Sequence, residues 1–210
     1  MLEYQFLDQT LILAPEKAVY WKEKQLLILA DVHLGKAGHF RKSGIPISDL
    51  VHSKDIYTIE KLISRFKPVE VVFLGDLFHS DHNQSWEVFR RWVRSKDPLQ
   101  FKLVLGNHDV LSTPDYQIKN LEVVEVLDLP PFSLTHIPEE TDHYNLAGHI
   151  HPAVRMMGRG RQSLRLPCYY FGKGNGILPA FGHFTGTARI RPEKDDSLFV
   201  IADNKVVKVN

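Results

Sequence analysis

Short apolar runs alternate with amphipathic stretches over the first half of the chain. Three continuous apolar runs, at residues 26–30, 69–74 and 101–105, have the length of buried strands. Apolar residues recur at helical spacing from about residue 49 to 66 and again from 84 to 94, which predicts two helices. Because alternating strands and helices are typical of βαβ units, we expect a parallel or mixed sheet covered by helices.

Shorter apolar runs, separated by turn residues, follow in the second half. Residues 132–135 and 145–147 have the pattern of short strands, and the tail SLFVIADNKVVKVN predicts a hairpin that turns at Asp203 and Asn204. The chain has 210 residues without a linker-like segment, a length that suits one sizeable core. We therefore expect a single α/β domain spanning residues 1–210.

The composition excludes several classes of protein. No apolar run approaches the length that spans a bilayer, and no secretory signal is visible. Cys168 is the one cysteine, so no internal disulfide can form, which favours a reducing compartment and a cytoplasmic location. The net charge is +1, so any nucleic-acid binding must come from a local basic patch.

Five apolar runs are followed within two residues by side chains that can bind metals. Each of the runs at 26–30, 69–74, 101–105, 132–135 and 145–147 leads into Asp, His or Asn. Seven candidate ligands follow from this pattern: Asp31, His33, Asp76, Asn107, His136, His149 and His151. Ligands bind at the carboxyl ends of strands in open α/β sheets, so these side chains should converge on one crevice.

The D-V-H and H-I-H pairs place two candidate ligands very close in sequence. Alternate side chains of an extended segment point to the same side, so we expect each pair, with small local twists at the strand end, to address one ion or two neighbouring ions. Seven oxygen and imidazole ligands are too many for one tetrahedral ion and suit two divalent ions that share a carboxylate. Manganese is the expected ion, with iron, zinc or nickel as alternatives.

The same motifs carry a resemblance to a known family. The pieces DVH, GD, GNHD, the His of LTH and GHIH occur in the order that is typical of calcineurin-like metallophosphoesterases, over residues from about 28 to 151. The resemblance implies a sandwich of two mixed β-sheets packed face to face and flanked by helices. It also implies phosphoester hydrolysis, in which a hydroxide that bridges two metal ions attacks phosphorus in line.

The resemblance further implies a role for each motif residue. The ligands of the first metal would be Asp31, His33 and His151. The ligands of the second metal would be Asn107, His136 and His149. Asp76 would bridge the two ions. His108 would protonate the leaving oxygen or stabilise charge on the phosphate, and Asp109 would orient His108.

Three shorter segments resemble a narrower group within this family. The segments ADVHLGKAGHFRKSGIPI, FLGDLFHS and PAFGHFTG are similar to the ligase-associated DNA damage response endonucleases of the PdeM type. This resemblance implies cleavage of DNA phosphodiester bonds, with single-stranded DNA as one candidate substrate. It also implies a role in repair beside a DNA ligase and a helicase-like partner, and the wider family implies a homodimer.

Basic residues near the motifs are candidates for substrate contact. Lys36 and Arg41 follow DVH, His79 follows the second motif, and Arg155 follows His151. The stretch from 153 to 175 contains five Arg and Lys residues and no acid. A basic hairpin there could hold the phosphates that flank a scissile one. The alternative is a solvated hairpin whose charges point outward.

Two other functions stay open at this point. The same metals could hydrolyse a small phosphodiester, a nucleotide or a phosphomonoester. A chain with this fold could also act as a non-catalytic interaction scaffold, as happens when metal ligands are lost. The complete set of seven candidate ligands argues against the scaffold.

Overall fold

The computed structural model describes residues 1–34, 50–78, 84–110, 113–157, 163–183 and 185–209, and its strands form two sheets. The first sheet has seven strands in sequence order: β1 (Leu2–Phe6), β2 (Gln9–Leu13), β3 (Ala18–Trp21), β4 (Leu26–Ala30), β5 (Glu70–Leu74), β6 (Gln100–Val104) and β7 (Leu121–Val124). Neighbours from β1 to β4 are antiparallel, and neighbours from β4 to β7 are parallel. The carboxyl ends of β4 to β7 therefore share one edge.

The second sheet is also mixed. Its nine strands are β8 (Leu127–Leu129), β9 (Phe132–Thr135), β10 (Tyr144–Ala147), β11 (Pro152–Met157), β12 (Ser163–Phe171), β13 (Asn175–Ile177), β14 (Ala188–Arg189), β15 (Ser197–Ala202) and β16 (Lys205–Lys208). The strand order is β14-β11-β12-β13-β10-β9-β8, and the β15–β16 hairpin pairs with β12. Since β9 and β10 are parallel, they too end at a common edge.

Among the described residues, two α-helices and one short 3-10 helix lie between the strands. They are α1 (Leu50–Phe66), α2 (Gln84–Ser95) and the 3-10 helix Thr113–Tyr116. Both α-helices bury apolar side chains in the core that covers the first sheet. In the described part of the chain, no helix is both long and apolar enough to cross a membrane.

The first sheet separates two hydrophobic cores. Leu27 and Leu29 of β4 pack on the helix side, together with Phe89 of α2. Ile28 belongs to the other core, between the two sheets, where it shares a cluster with Phe132 of β9. A strand that is buried on both faces must be apolar throughout, which explains why β4 has the continuous sequence LLILA.

The predicted sandwich of two mixed sheets is confirmed. The predicted strands at 26–30 and 132–135 have the same bounds in the structure, and those at 69–74, 101–105 and 145–147 are displaced by one residue at one or both ends. The C-terminal hairpin turns at Asp203 and Asn204, whose φ angles of 47° and 57° suit the type I′ geometry of a two-residue hairpin. Among the described residues, apolar side chains of both helices belong to the core on the outer face of the first sheet, and none belongs to the core between the two sheets.

The three N-terminal strands have no counterpart in the sequence prediction. In β1, Leu2, Tyr4 and Phe6 pack against the core between the sheets, and the residues between them are exposed. The β1–β2 hairpin turns at Leu7 and Asp8, which have φ angles of 51° and 58°. Leu is not a typical residue for a left-handed turn position, so the turn signal in the sequence is weak.

Candidate metal centre

The two sheets direct their strand ends at one site. Ala30, Leu74 and Val104 lie side by side at the ends of β4, β5 and β6, so the residues that follow them emerge at the same edge. Thr135 and Ala147 pair in the same way at the ends of β9 and β10. These strand ends bring the segments that carry the seven candidate ligands together at one edge.

Backbone hydrogen bonds connect the strand-end segments to one another. The His33 amide donates to the carbonyl of Asp76 over 2.9 Å, and the Gly148 amide donates to the carbonyl of His136 over 3.0 Å. The His149 amide donates to both carboxylate oxygens of Asp31, at 3.1 and 2.9 Å. The last contact joins the first sheet to the second, because Asp31 follows β4 and His149 follows β10.

Five candidate ligands adopt left-handed backbone conformations. Their φ angles lie between 48° and 64°: Asp31, His33, Asp76, His149 and His151. The prediction of extended D-V-H and H-I-H segments was therefore wrong. Strand pairing stops before each segment, and each ligand turns the chain so that both members of a pair face the site. Left-handed residues other than glycine are strained, and such strain clusters at functional sites.

Asp31, His33 and His151 form a first cluster, in which one donor atom of each lies within 4.8 Å of the others. Asp31 is fully buried, and its Oδ1 lies 3.4 Å from Nε2 of His151. His151 Nδ1 lies 3.2 Å from the carbonyl oxygen of Gly186. A carbonyl can only accept, so Nδ1 carries a proton, and Nε2 is the ring nitrogen that faces Asp31.

Asp76, His136 and His149 form a second cluster that meets the same distance limit. His136 Nδ1 lies 3.1 Å from the carbonyl oxygen of Leu74, so Nδ1 again carries a proton and Nε2 is the ring nitrogen that faces the cluster. That Nε2 lies 3.0 Å from Oδ1 of Asn107 and 3.4 Å from Oδ1 of Asp76. Nδ1 of His149 also lies 3.2 Å from Nε2 of His136.

Both clusters fit a divalent cation. In each of them the Nε2 atom of a histidine faces oxygen atoms at 3.0 to 3.4 Å, so a cation between these atoms would meet nitrogen and oxygen donors from several residues. The Nε2 atom of His151 is buried and makes no hydrogen bond to the described residues. Buried carboxylates such as Asp31 and Asp76 also need a compensating charge. Nitrogen and oxygen donors without thiolate suit manganese, iron, zinc or nickel.

Asp76 lies between the two clusters. Its Oδ2 is 3.9 Å from Nε2 of His33 in the first cluster, and its Oδ1 is 3.4 Å from Nε2 of His136 in the second. The amide of His108 donates a hydrogen bond to Oδ1 over 3.0 Å. One carboxylate therefore offers an oxygen to each cluster, which is the geometry that a bridging ligand requires.

His108 and Asp109 occupy different environments. The His108 side chain is 45% exposed, and its Nε2 lies 4.0 Å from Oδ2 of Asp76. Asp109 is buried and accepts hydrogen bonds from the amides of Leu77, Phe78 and Gly106. Burial raises the pKa of Asp109 to about 6, although the amides of Gly106 and Phe78 oppose this rise. Asp109 thus holds the turn that carries His108.

Glycines of the motifs leave room for the candidate ligands. A Cβ atom at Gly75 would lie 2.3 Å from Nδ1 of His136, and one at Gly106 would lie 2.5 Å from Oδ1 of Asp76. A Cβ atom at Gly148 would lie 2.6 Å from Oδ2 of Asp31. Sequence reasoning treated these glycines as parts of the motifs and missed their packing role, since only the fold shows which ligand lies above each one.

Replacing Gly148 with alanine should displace Asp31 and weaken metal binding at the first cluster. The added methyl group would also meet the Cβ atom of Ala30 at 2.8 Å, so we expect a loss of stability of about 1–3 kcal/mol. Thermal unfolding with and without Mn²⁺ measures both effects. Gly174→Ala is the matched control, because a Cβ atom there has no neighbour within 4 Å. Equal behaviour of the two variants would contradict the packing role.

Most of the predicted substrate contacts lie outside the described residues. This applies to Lys36, Arg41 and His79. Arg155 is described, is exposed on β11, and lies directly opposite Arg165 of β12. Sequence reasoning did not find the contact between His151 and Gly186, because a backbone carbonyl carries no residue-specific signal.

Comparisons with known proteins agree with this geometry. The family model described as calcineurin-like phosphoesterase matches residues 24–197. The chain belongs to this family, as its motifs predicted, and is a metal-dependent phosphoric ester hydrolase. A comparison with proteins of curated function found no match.

Two solved structures are similar to the chain. The nuclease MPE from Pseudomonas putida has a TM-score of 0.84 and 30% identity, with 99% of each chain covered. This match agrees with the narrower resemblance to the ligase-associated endonucleases. The phosphoesterase YfcE from E. coli has a TM-score of 0.46 and 14% identity, with 88% of this chain and 97% of that one covered. The second likeness is too distant to support an inference.

Proposed function

We propose that this protein is a DNA endonuclease that hydrolyses phosphodiester bonds with two divalent ions, preferentially Mn²⁺, bound by one domain formed by residues 1–210. The observation that carries the proposal is the pair of clusters that Asp76 contacts, in which histidine ring nitrogens and carboxylate oxygens face one another. The likeness over nearly all of both chains to a nuclease supports a nucleic-acid substrate.

Each motif residue has a role in this proposal. The first ion is held by Asp31, His33 and His151. The second ion is held by Asn107, His136 and His149. Asp76 bridges them through its two oxygens, in keeping with its contacts to His33 and His136. Two bound ions supply an activated water as nucleophile near neutral pH and neutralise charge on the scissile phosphate.

His108 is proposed as the group that protonates the leaving oxygen. Its ring is partly exposed beside the buried Asp76, so it can reach a substrate that lies over the clusters. The backbone amide of His108 donates to the carboxylate of Asp76. The carboxylate of Asp109 accepts from the amide of Gly106 and so fixes the turn from Gly106 to His108. The backbone of this turn thus supports the ligand Asp76, and the side chain of His108 is partly exposed beside the clusters.

Arg155 and Arg165 are proposed to hold a phosphate next to the scissile one. Like charges directly opposite each other on two strands repel, and an anion between them would relieve the repulsion. Arg165 also donates to the carbonyl of Thr187, which is adjacent to Gly186, the acceptor of the His151 hydrogen bond. Arg155 is four residues from His151, about 13 Å along an extended strand, which is too far for the scissile phosphate itself.

Replacing Arg155 or Arg165 with glutamine should raise KM for DNA and reduce its salt dependence, because one phosphate contact is lost. Turnover of a small diester such as bis(p-nitrophenyl) phosphate should not change. Steady-state kinetics on both substrates over a range of salt concentrations measures this. Lys119→Gln is the control, since Lys119 is exposed and lies just before β7, at the edge opposite the clusters. An equal loss on both substrates would contradict a role in strand binding.

The resemblance of three segments to ligase-associated endonucleases supports a role in DNA repair, beside a DNA ligase and a helicase-like partner. The single cysteine, Cys168, is buried, in keeping with the proposed cytoplasmic setting. A homodimer is part of the same proposal. Sedimentation of the purified protein alone, and then with the ligase, tests the dimer and the partner separately.

Cleavage of circular single-stranded DNA with Mn²⁺ is the test of the proposed function. A circle has no ends, so its conversion to linear product requires an endonuclease. We expect cleavage by the wild-type protein and none by His136→Ala, which lacks a ligand of the second cluster. Hydrolysis of bis(p-nitrophenyl) phosphate without cleavage of the circle would instead favour a small phosphodiester as the substrate.

A further inference from the structure

The segment of residues 181–188, described apart from position 184, borders the first cluster. We call this segment the clasp. At its start, the amide of Phe181 donates to the carbonyl of Ala30 over 2.8 Å, and the amide of Gly182 donates to the carbonyl of Asp31 over 3.2 Å. At its end, the amide of Ala188 donates to the carbonyl of His151 over 2.9 Å. The clasp therefore touches the backbone of two first-cluster residues.

The clasp also fixes the ring of His151. The carbonyl of Gly186 accepts the Nδ1 proton of His151, and this contact leaves Nε2 directed at Asp31. Backbone carbonyls that accept from a metal-binding histidine orient the ring and select its tautomer. Movement of Gly186 would therefore change the first cluster directly. The second cluster takes its corresponding contact from Leu74, outside the clasp.

One side chain ties the middle of the clasp to helix α1. His183 Nδ1 lies 2.5 Å from Oδ1 of Asp55, a residue of α1 that is 3% exposed. The pKa of the nearby Lys17 is lowered by burial, an effect that the charge of Asp55 opposes. The hydroxyl of Thr185 donates to the carbonyl of Gly182 over 2.8 Å and tightens the turn around His183. The buried side chain of Phe181, at the start of the clasp, also belongs to the hydrophobic core that contains Ile59 and Leu62 of α1.

The geometry points to His183 as a positioning residue for the first metal site. Through its hydrogen bond to Asp55, His183 holds the clasp in place, and the clasp holds Asp31 and the His151 ring in the arrangement that binds the ion. The inference rests on the proposed two-metal function. The inference predicts an effect on the first metal site and none on the second, because the second cluster has no contact of this kind with the clasp among the described residues.

Metal binding of the full chain in single-site backgrounds tests the inference. His136→Ala leaves the first cluster intact, and His151→Ala leaves the second intact. Isothermal titration with Mn²⁺ should show that adding His183→Ala weakens binding by about 10–100-fold in the His136→Ala background. Addition of the same change should have no effect in the His151→Ala background.

Two conservative variants separate positioning from direct action on the substrate. His183→Asn keeps an N–H donor near the place of Nδ1 and should restore the affinity of the first site. His183→Gln places its donor near Nε2 and should not restore it. These two variants also decide the matter if His183→Ala does not fold.

Three results would overturn the inference. Unchanged affinity of the first site in His183→Ala removes the positioning role and leaves the proposed function standing. Equal weakening of both sites means that His183 acts on the fold as a whole. Failure of the wild-type protein to bind two ions overturns the proposed function and the inference together.

Discussion

Replacing Asp76 with asparagine is expected to abolish metal-dependent hydrolysis while leaving the fold intact. Asp76 is the described carboxylate that offers one oxygen to each cluster, so its loss affects both ions at once. We expect turnover to fall by at least about 10³-fold, the upper end of the cost of removing one electrostatic contact from an active site. Titration with Mn²⁺ should show loss of tight binding.

The same substitution should stabilise the protein in the absence of metal. Asp76 and Asp31 are both buried, and the charge of Asp76 contributes to the raised pKa of Asp109. Removing one of these charges relieves repulsion that a bound cation would relieve in the wild-type protein. Asparagine tolerates the φ of 48° at this position, and its carbonyl can still accept from the amide of His108. Thermal unfolding should show a higher Tm without metal and no gain on adding Mn²⁺.

The matched control is Asp203→Asn. Asp203 has a φ of 47° in the exposed turn of the C-terminal hairpin, so the same chemical change is made in nearly the same backbone conformation. The control should keep both activity and the Mn²⁺-induced rise in Tm. If Asp76→Asn instead retained activity, or lost stability without metal, Asp76 could not be the buried bridging ligand proposed here.

The sequence predicted the candidate ligands because their chemistry depends on residue type. A buried strand such as Leu26–Ala30 must be apolar on both faces, so its end is sharp, and the polar residue after it stands out. The parallel strands β4, β5 and β6 then bring three such ends together, since parallel neighbours end at one edge. For this reason the ligand candidates could be named before the fold was known.

Other features depend on contacts that residue types do not encode. The left-handed conformations of Asp31 and His149 arise where strand pairing stops, and an alternating pattern wrongly predicted extended chain there. The contact of His151 with Gly186 uses a backbone carbonyl, and the bond between His183 and Asp55 joins residues 128 positions apart. Such distant contacts become visible only when the two sheets are in place.

Replacing His108 with alanine is expected to reduce turnover of DNA by about 10²–10⁴-fold, the usual contribution of a general acid. Metal binding should not change, because residue 108 holds Asp76 through its backbone amide, which the substitution retains. The His108 side chain itself lies 4.0 Å from Asp76 and is 45% exposed. Calorimetric titration with Mn²⁺ tests this part. His143→Ala is the control, since His143 directly precedes β10, at the end of that strand opposite to the one that His149 follows.

A comparison of two leaving groups decides what His108 does. The alkoxide that leaves from DNA must be protonated, whereas p-nitrophenolate is stable without a proton. A general acid is therefore needed for DNA and much less for bis(p-nitrophenyl) phosphate, so His108→Ala should lose far more activity on DNA. A group that stabilises charge on the phosphate would matter equally for both substrates. Equal losses would thus assign His108 to the phosphate oxygens, and the source of the leaving-group proton would have to be sought among the other residues over the clusters.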